Sequence, residues 1–307
     1  MADATLAHRA EYYALRGVVA ALDQFGIRRA GAVGEWLGAL GYRPFGIRRA
    51  VVERQLRAAF PAFDDATVHR IARASYESLG RTAIETALMP ARSREQVLAM
   101  FSRVEGWDVV ERAMAQDRGI LFVTGHLGNW ELAGSFVAAR GVPLEAVARR
   151  MQNPLFDHYL TETRRRIGMS VIHDADAVKR VPRAMREQHA VAFLVDQGAV
   201  GLASTWVPFF GRLAKTPRGP AVFALRLGAP VIFGAALRQP DGRYMIGFEE
   251  VRAESTGDRE ADVDRIVAAY TATLERWVRR APEQYFWHHR RWKHQRPGTP
   301  PELGDPA

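Results

Sequence analysis

Two residues of this chain are set where they could do acid–base chemistry: His126 and Glu131, five positions apart. They lie in the run Ile120-Leu-Phe-Val-Thr-Gly-His-Leu-Gly-Asn-Trp-Glu131. Its apolar start reads as a buried strand ending at Thr124, Gly125 permits a sharp turn, and Gly128 and Asn129 suit the start of a helix. Inside one continuous helix the two side chains would point about 140° apart and could not pair. With His126 in the loop and Glu131 in the first helical turn, the chain can fold back. The carboxylate then reaches Nδ1–H, fixes the tautomer and leaves Nε2 as a base. This arrangement has no serine, so the nucleophile would be a substrate hydroxyl deprotonated by His126. Free N–H groups at the helix start could stabilise an oxyanion. Taken alone, a His-x4-Glu spacing also fits a capping histidine beside a surface glutamate.

These residues need an element order that presents them. Residues 1–115 read as helical throughout, with three- and four-residue apolar spacing over Gln55–Phe60, Ala66–Leu88 and Ser93–Phe101 and breaks at Pro44, Pro61 and Pro90. Asp65 or Thr67 is the expected start of the 66–88 helix. After Arg118 the texture changes. Ile120–Thr124, Ala190–Val195 and Pro230–Ala236 read as buried strands, separated by helical patterns at 130–140, 154–167, 177–188 and 217–228. Tyr244–Phe248, after the Asp241-Gly242 turn, reads as a hairpin partner of 231–238, and a helix at 261–280 follows. Alternation of this kind predicts an α/β fold with a mostly parallel central sheet flanked by helices. In such sheets ligands gather at the carboxyl ends of strands, where His126 would sit. The expected organisation is a helical N-terminal section over 1–115, an α/β core over 116–295 and a loose Pro/Gly-rich tail over 296–307.

Composition narrows the chemistry. The absence of cysteine excludes disulfides, thiolate catalysis and Cys-ligated metal. No His-Glu-x-x-His, Walker loop, Gly-x-Gly-x-x-Gly or Gly-x-Ser-x-Gly is present, so neither a metal nor a nucleotide cofactor is expected. A net charge of +9 points to anionic partners: nucleic acid, a bilayer surface, or acidic carriers and substrates. No segment approaches the apolar length of a spanning helix, and the N-terminus lacks the pattern of a secretory signal. Tyr12–Tyr42 mixes Tyr13, Val18, Phe25, Trp36 and Leu37 with Arg16, Arg28 and Arg29, which allows one face to lie among lipid headgroups or to pack on the core.

Several further blocks occur in a telling order. They are Arg149 followed by Asn153-Pro-Leu-Phe-Asp157, the pair Asp196-Gln197, Val207-Pro-Phe-Phe-Gly211 leading to Thr216 and Gly219-Pro220, Gly228-Ala-Pro-Val231, and Pro282-Glu-Gln-Tyr-Phe-Trp-His-His-Arg-Arg-Trp-Lys293. Together with His126-Leu-Gly-Asn-Trp-Glu131 they resemble the bacterial lipid A biosynthesis (lauroyl/myristoyl) acyltransferase family, which includes phosphatidylinositol-mannoside acyltransferases. The likeness covers about residues 10–295. It implies His126 as general base and Glu131 as the group that orients it. Arg149, Asn153, Asp196, Gln197, Thr216 and Arg290 are implied as substrate-binding positions. Arg149 would contact phosphate and Asp196 would position the acceptor or a basic partner; an ordinary ion pair and a helix cap are the plainer readings of those two. The resemblance further implies an acyl carrier protein or coenzyme A thioester as co-substrate, and a lipid or glycolipid acceptor. It places the protein on the cytoplasmic face of the bacterial inner membrane, held peripherally or monotopically on an anionic surface, with an apolar acyl groove between the N-terminal helices and the sheet. Ala148, Gly198 and Leu202 depart from the residues common in lipid A enzymes, so the acceptor stays open.

The Arg279–Arg296 block carries six Arg/Lys against one acid, interleaved with Tyr285, Phe286, Trp287 and Trp292. That pattern fits stacking on single-stranded nucleic acid or a headgroup-level anchor, and the resemblance favours the anchor. Arg164-Arg-Arg166 reads as a solvated helix end. A basic nucleic-acid-binding module and a non-catalytic membrane-binding protein are the alternatives to an enzyme.

Overall fold

A computed structural model describes residues 4–198 and 203–306; Leu202 lies outside them. In chain order the N-terminal section holds helices α1 (Leu6–Asp23), α2 (Gly26–Tyr42), α3 (Arg49–Ala59), α4 (Asp65–Leu88) and α5 (Arg94–Ala99), then strand β1 (Phe101–Glu105) and α6 (Trp107–Met114). The next stretch alternates: β2 (Ile120–Thr124), α7 (Trp130–Ala139), β3 (Leu144–Ala148), α8 (Pro154–Arg166), β4 (Met169–His173), α9 (Ala177–Arg186) and β5 (Ala190–Leu194). A hairpin of β6 (Ser204–Phe209) and β7 (Arg212–Pro217) leads into α10 (Gly219–Leu227), β8 (Val231–Arg238), β9 (Tyr244–Val251) and α11 (Arg259–Arg280).

Seven strands form one sheet in the order β1-β9-β8-β2-β5-β3-β4. All neighbours run parallel except β8 and β9. The expected α/β architecture is therefore present, and the three strands read from apolar runs fall in place. The helical reading of 1–115 needs correction at β1. That strand pairs only with β9, at the sheet edge, and Ser102, Arg103 and Val104 are exposed. An edge strand solvated on most of its length carries no apolar run, so its sequence did not announce it. Because β1 joins the sheet, the N-terminal section and the core share it. Strands β3 and β4 were hidden because Glu145 interrupts the apolar run of the one and Ser170 and His173 that of the other.

Helix α4 starts one residue earlier than expected: Asp64 is its cap, accepting from the Thr67 N–H at 2.8 Å. Helices α2 and α4 touch backbone to backbone. A Cβ on Gly38 would lie 2.0 Å from the Tyr76 carbonyl oxygen, and one on Gly80 2.1 Å from that of Gly34.

The aromatic C-terminal block proves to be core. Tyr285, Trp287 and Trp292 are buried, and Arg291 with them. Phe60 and Phe210 pack on Trp287, and Phe209 on Trp292. This corrects the headgroup-anchor reading of that block, since rings enclosed by protein cannot reach a bilayer or stack on bases. Truncating one such tryptophan would cost about 3–5 kcal/mol. The Pro/Gly-rich tail, expected to stay loose, is tied back by Asp305 accepting from Arg290 Nε at 3.1 Å and by Arg212 donating to the Gly304 carbonyl at 2.8 Å.

Among the described residues no helix is long and apolar enough to cross a membrane. The N-terminal helices and the loop after α2 expose Leu6, Tyr13, Phe25, Trp36, Phe45 and Ile47, each more than half accessible.

Candidate active site

Register explains the site. Strands β2 and β5 are parallel neighbours with Thr124 opposite Leu194. His126 and Asp196 each stand two residues beyond those ends, so two adjacent strands deliver them side by side. Asp196 Oδ1 lies 2.8 Å from His126 Nδ1, and its Oδ2 accepts the His126 backbone N–H at 2.8 Å. One carboxylate thus holds both the ring and the main chain of the histidine. Asp196 is fully buried, while the His126 side chain keeps 18% of its surface accessible.

Burial pulls the His126 pKa down, but the charge and hydrogen bond of Asp196, aided by the charge of Glu131, outweigh it and leave the pKa above its ordinary value. Burial likewise pushes Asp196 up, and the His126 charge and hydrogen bonds, with the Arg291 charge, bring it below the usual carboxylate range. The Gln197 amide nitrogen lies 3.5 Å from His126 Nε2. Trp130 and Phe286 flank the ring at 4.8 and 5.8 Å between centroids.

The expected His126–Glu131 pair is not formed. Glu131, in the first turn of α7, turns instead to Arg164 of α8, which donates from Nε at 3.0 Å and from its second guanidinium arm to the other oxygen. Arg164 is accordingly a largely buried partner and not part of a solvated helix end. Once α7 starts at Trp130, Glu131 follows the helix surface outward, whereas Asp196 approaches His126 along the neighbouring strand. The sequence signal for Asp196 was present, an acid just past an apolar strand, but nothing in the sequence says which strands are neighbours.

The turn between His126 and α7 is built with little tolerance. Gly128 has φ +60°, its N–H donates to the Gln284 carbonyl at 2.9 Å, and a Cβ there would lie 1.9 Å from the Ala236 carbonyl oxygen. Gly128→Ala is expected to lower stability by about 2–4 kcal/mol and to displace the His126 loop. A melting curve and an activity assay on the same preparation check both parts.

The amino-acid sequence has counterparts among known proteins. The model of the bacterial lipid A biosynthesis acyltransferase family matches residues 3–294. The chain belongs to that family. Similar proteins include the Escherichia coli K12 lipid A biosynthesis palmitoleoyltransferase, 29% identical over 266 residues that cover 85% of this chain and 84% of the relative. The lipid A biosynthesis lauroyltransferase of the same strain is 29% identical over 269 residues, 86% and 85% of the two chains. The phosphatidylinositol mannoside acyltransferase of Mycobacterium tuberculosis H37Rv is 26% identical over 163 residues, 52% of each. This chain is an acyltransferase.

The acyltransferase distributes the remaining expected site residues unevenly. Gln197 is at His126. Arg149 follows directly after β3, on the side of the sheet where His126 lies; it is exposed and 3.4 Å from Asp174. Asn153 caps α8 through the Leu155 N–H at 3.0 Å and donates to Glu11 of α1 at 3.1 Å. Thr216 is buried and accepts from Arg291 at 2.6 Å. Arg290 reaches Asp305. Asn153 and Thr216 thus have structural contacts of their own, which a motif resemblance cannot distinguish from ligand contacts. His289, beside Asp196, is pushed down to about 4 by burial and is neutral near pH 7.

Behind the turn lies a buried network. Glu85 of α4 accepts from Arg81 Nε at 2.8 Å, Asn129 Nδ2 at 3.2 Å, Arg238 at 3.4 Å and the Tyr244 hydroxyl. Asn129 in turn caps α7 by accepting the Leu132 N–H at 2.9 Å. Thr82 donates to the Gly128 carbonyl at 3.2 Å. Helix α4 therefore pins the turn after His126 from the back. Glu85→Ala would take from Arg238 its carboxylate partner and leave Arg81 to Glu35, 2.8 Å away, so a loss of about 3–5 kcal/mol is expected, measured by denaturant unfolding.

Among the described residues, Glu145, Glu187 and His189 bring possible metal-ligand atoms within 4.8 Å of one another. They sit by the starts of β3 and β5, at the opposite end of the strands from His126, and Arg180 and Arg183 pair with the carboxylates. The cavity between α1, the end of α4 and α8, about 420 Å³, has mixed walls: Tyr12, Leu88 and Tyr159 beside Arg16, Glu162 and Arg166. It is not the apolar groove expected from the sequence.

Proposed function

We propose that this acyltransferase works at a membrane surface, moving a fatty acyl group from an acyl carrier protein or coenzyme A thioester to a hydroxyl of a lipid A-like or other glycolipid, or of a lysophospholipid. The observation that carries the reading is the imidazole at the end of β2, held through Nδ1 at 2.8 Å by a buried carboxylate, with Nε2 facing the Gln197 amide at 3.5 Å.

In this reading the acceptor hydroxyl displaces Gln197 from Nε2. His126 takes its proton as the oxygen attacks the thioester carbonyl. Asp196 stabilises the imidazolium that forms and holds the ring in place. The tetrahedral oxyanion lies toward the first turn of α7, whose leading N–H groups have no helical partner. The C–S bond then breaks, and His126 returns its proton to the leaving thiolate. The ester and free thiol account for all atoms. Glu131 contributes field and anchors Arg164, and Arg149 meets a phosphate of donor or acceptor.

Exposed apolar residues on α1 and α2 and after them, beside Arg9, Arg29 and Arg48, support docking on the anionic cytoplasmic face of the inner membrane. The basic surface suits an acidic carrier protein or the phosphates of coenzyme A. A nucleic-acid reading has lost its stacking platform, since Tyr285, Trp287 and Trp292 are buried.

The direct test supplies either thioester with glycolipid and lysophospholipid acceptors in mixed micelles, following acylated lipid by mass spectrometry and thiol release by absorbance. Equal amounts of ester and thiol are expected. Acylated lipid appearing with neither donor would sink the proposal.

A further inference from the structure

We propose that the cavity between α2 and α4 binds the phosphate-bearing headgroup of an anionic membrane lipid, at a site separate from His126 and Asp196. The proposal rests on the membrane-surface reading above and deepens it by naming a discrete lipid site.

The cavity is about 700 Å³ and runs beside the close crossing of the two helices. Trp36 and Leu40 of α2 line one wall, His69, Arg70 and Arg73 of α4 the other, and Arg43 stands where α2 ends. Among the described lining residues the acid is Glu77, and Arg73 holds it at 2.9 Å. Arg43 and Arg70 both lie on the exposed rim. Charge at the mouth is therefore strongly positive, supplied by guanidinium groups whose planar donors match phosphate oxygens.

The surroundings identify the source of that phosphate. Trp36 is 62% accessible, and Leu37, Phe45 and Ile47 are exposed close by in sequence. An indole next to cations, bordered by apolar side chains, suits a molecule that is anionic at one end and greasy at the other. A free phosphate ion would use the arginines and gain nothing from the apolar rim. An anionic phospholipid uses both, with its phosphate between Arg43 and Arg70 and its chains along Trp36 and Phe45.

The test compares the full chain with the double variant Arg43→Ala/Arg70→Ala and with Arg9→Ala/Arg29→Ala, which removes equal charge from α1 and α2 outside the cavity. Binding is measured to vesicles of phosphatidylcholine with and without phosphatidylglycerol. Monomeric dihexanoyl-phosphatidylglycerol and inorganic phosphate serve as competitors. The cavity variant is expected to lose on the order of tenfold in affinity for the anionic vesicles, several times more than the control pair. The short-chain lipid should compete where inorganic phosphate does not, and acyl transfer in detergent micelles should be unchanged. Equal losses in the two double variants would mean a diffuse basic surface and overturn the site. Equal competition by inorganic phosphate would overturn the lipid assignment. If the unaltered chain ignores both kinds of vesicle, the membrane-surface reading itself falls, an outcome distinct from the other two.

Discussion

His126→Ala is expected to lower acyl transfer by about 10²–10⁴-fold, the range a positioned general base supplies, with the fold intact. The fold should survive because the residue 126 main chain keeps its bond to Asp196, and the turn stays pinned by Gly128, Asn129 and Glu85. The loss should fall on kcat if, as proposed, the imidazole acts on the proton in flight. Circular dichroism and a melting curve establish folding, and thiol release with a saturating acceptor gives kcat. A variant that folds and keeps a large share of the native rate would remove His126 from the chemistry.

Asp196→Asn should bring the second large effect, because an imidazole loses its tautomer and orientation when the carboxylate behind it is neutralised. In a serine-protease triad that change is worth up to about 10⁴-fold. It also carries a pH signature. The proposed mechanism requires neutral His126, whose pKa is raised against burial chiefly by Asp196. The acid limb of the native profile should therefore lie above about 6.5, the ordinary histidine value. Without the Asp196 charge, burial prevails and the limb should move to lower pH as the rate falls. Glu131→Gln removes a more distant charge and should move the limb less, its main cost being the Arg164 pair. If Glu131→Gln moved the limb further than Asp196→Asn, the assignment of roles would be reversed.

The same pair affects stability with the opposite sign. A raised histidine pKa stabilises the fold fully below the unfolded value of about 6.5, and the gain is lost as pH rises through the folded pKa. A depressed aspartate pKa stabilises above the unfolded value of about 3.9 and is lost as pH falls through the folded pKa. The ion pair is therefore worth most in mildly acidic solution, where the proposed mechanism expects the least activity. In the proposed mechanism the charged pair helps the fold below the pH at which the base would work, a compromise expected where a buried pair also serves chemistry.

How far the sequence could be read depended on the range of the forces involved. Ile120–Thr124, Ala190–Val195 and Pro230–Ala236 were legible as strands because burial on both sheet faces demands continuous apolar runs. The long helices were legible from their spacing, and His126 from its place between a strand and a helix. By contrast β1, β3 and β4 are partly solvated, carry no such run, and emerged only from the sheet that contains them. The C-terminal Trp and Arg residues have the composition of a surface anchor, yet Phe60, Phe209 and Phe210 enclose the rings and Thr216 takes the Arg291 guanidinium. Composition does not record which face is covered.

By itself the amino-acid order determined an α/β protein with a histidine poised at a strand's end and, through its ordered blocks, an acyltransferase. Tertiary structure alone decided which acid serves that histidine. Glu131 is five residues away along the chain and Asp196 seventy, yet the parallel register of β2 with β5 puts the distant carboxylate at Nδ1 and helix α7 carries the near one to Arg164. Proximity in sequence constrains side chains only within one element. Between elements the backbone hydrogen bonds of the sheet set the neighbours, and no local pattern encodes them.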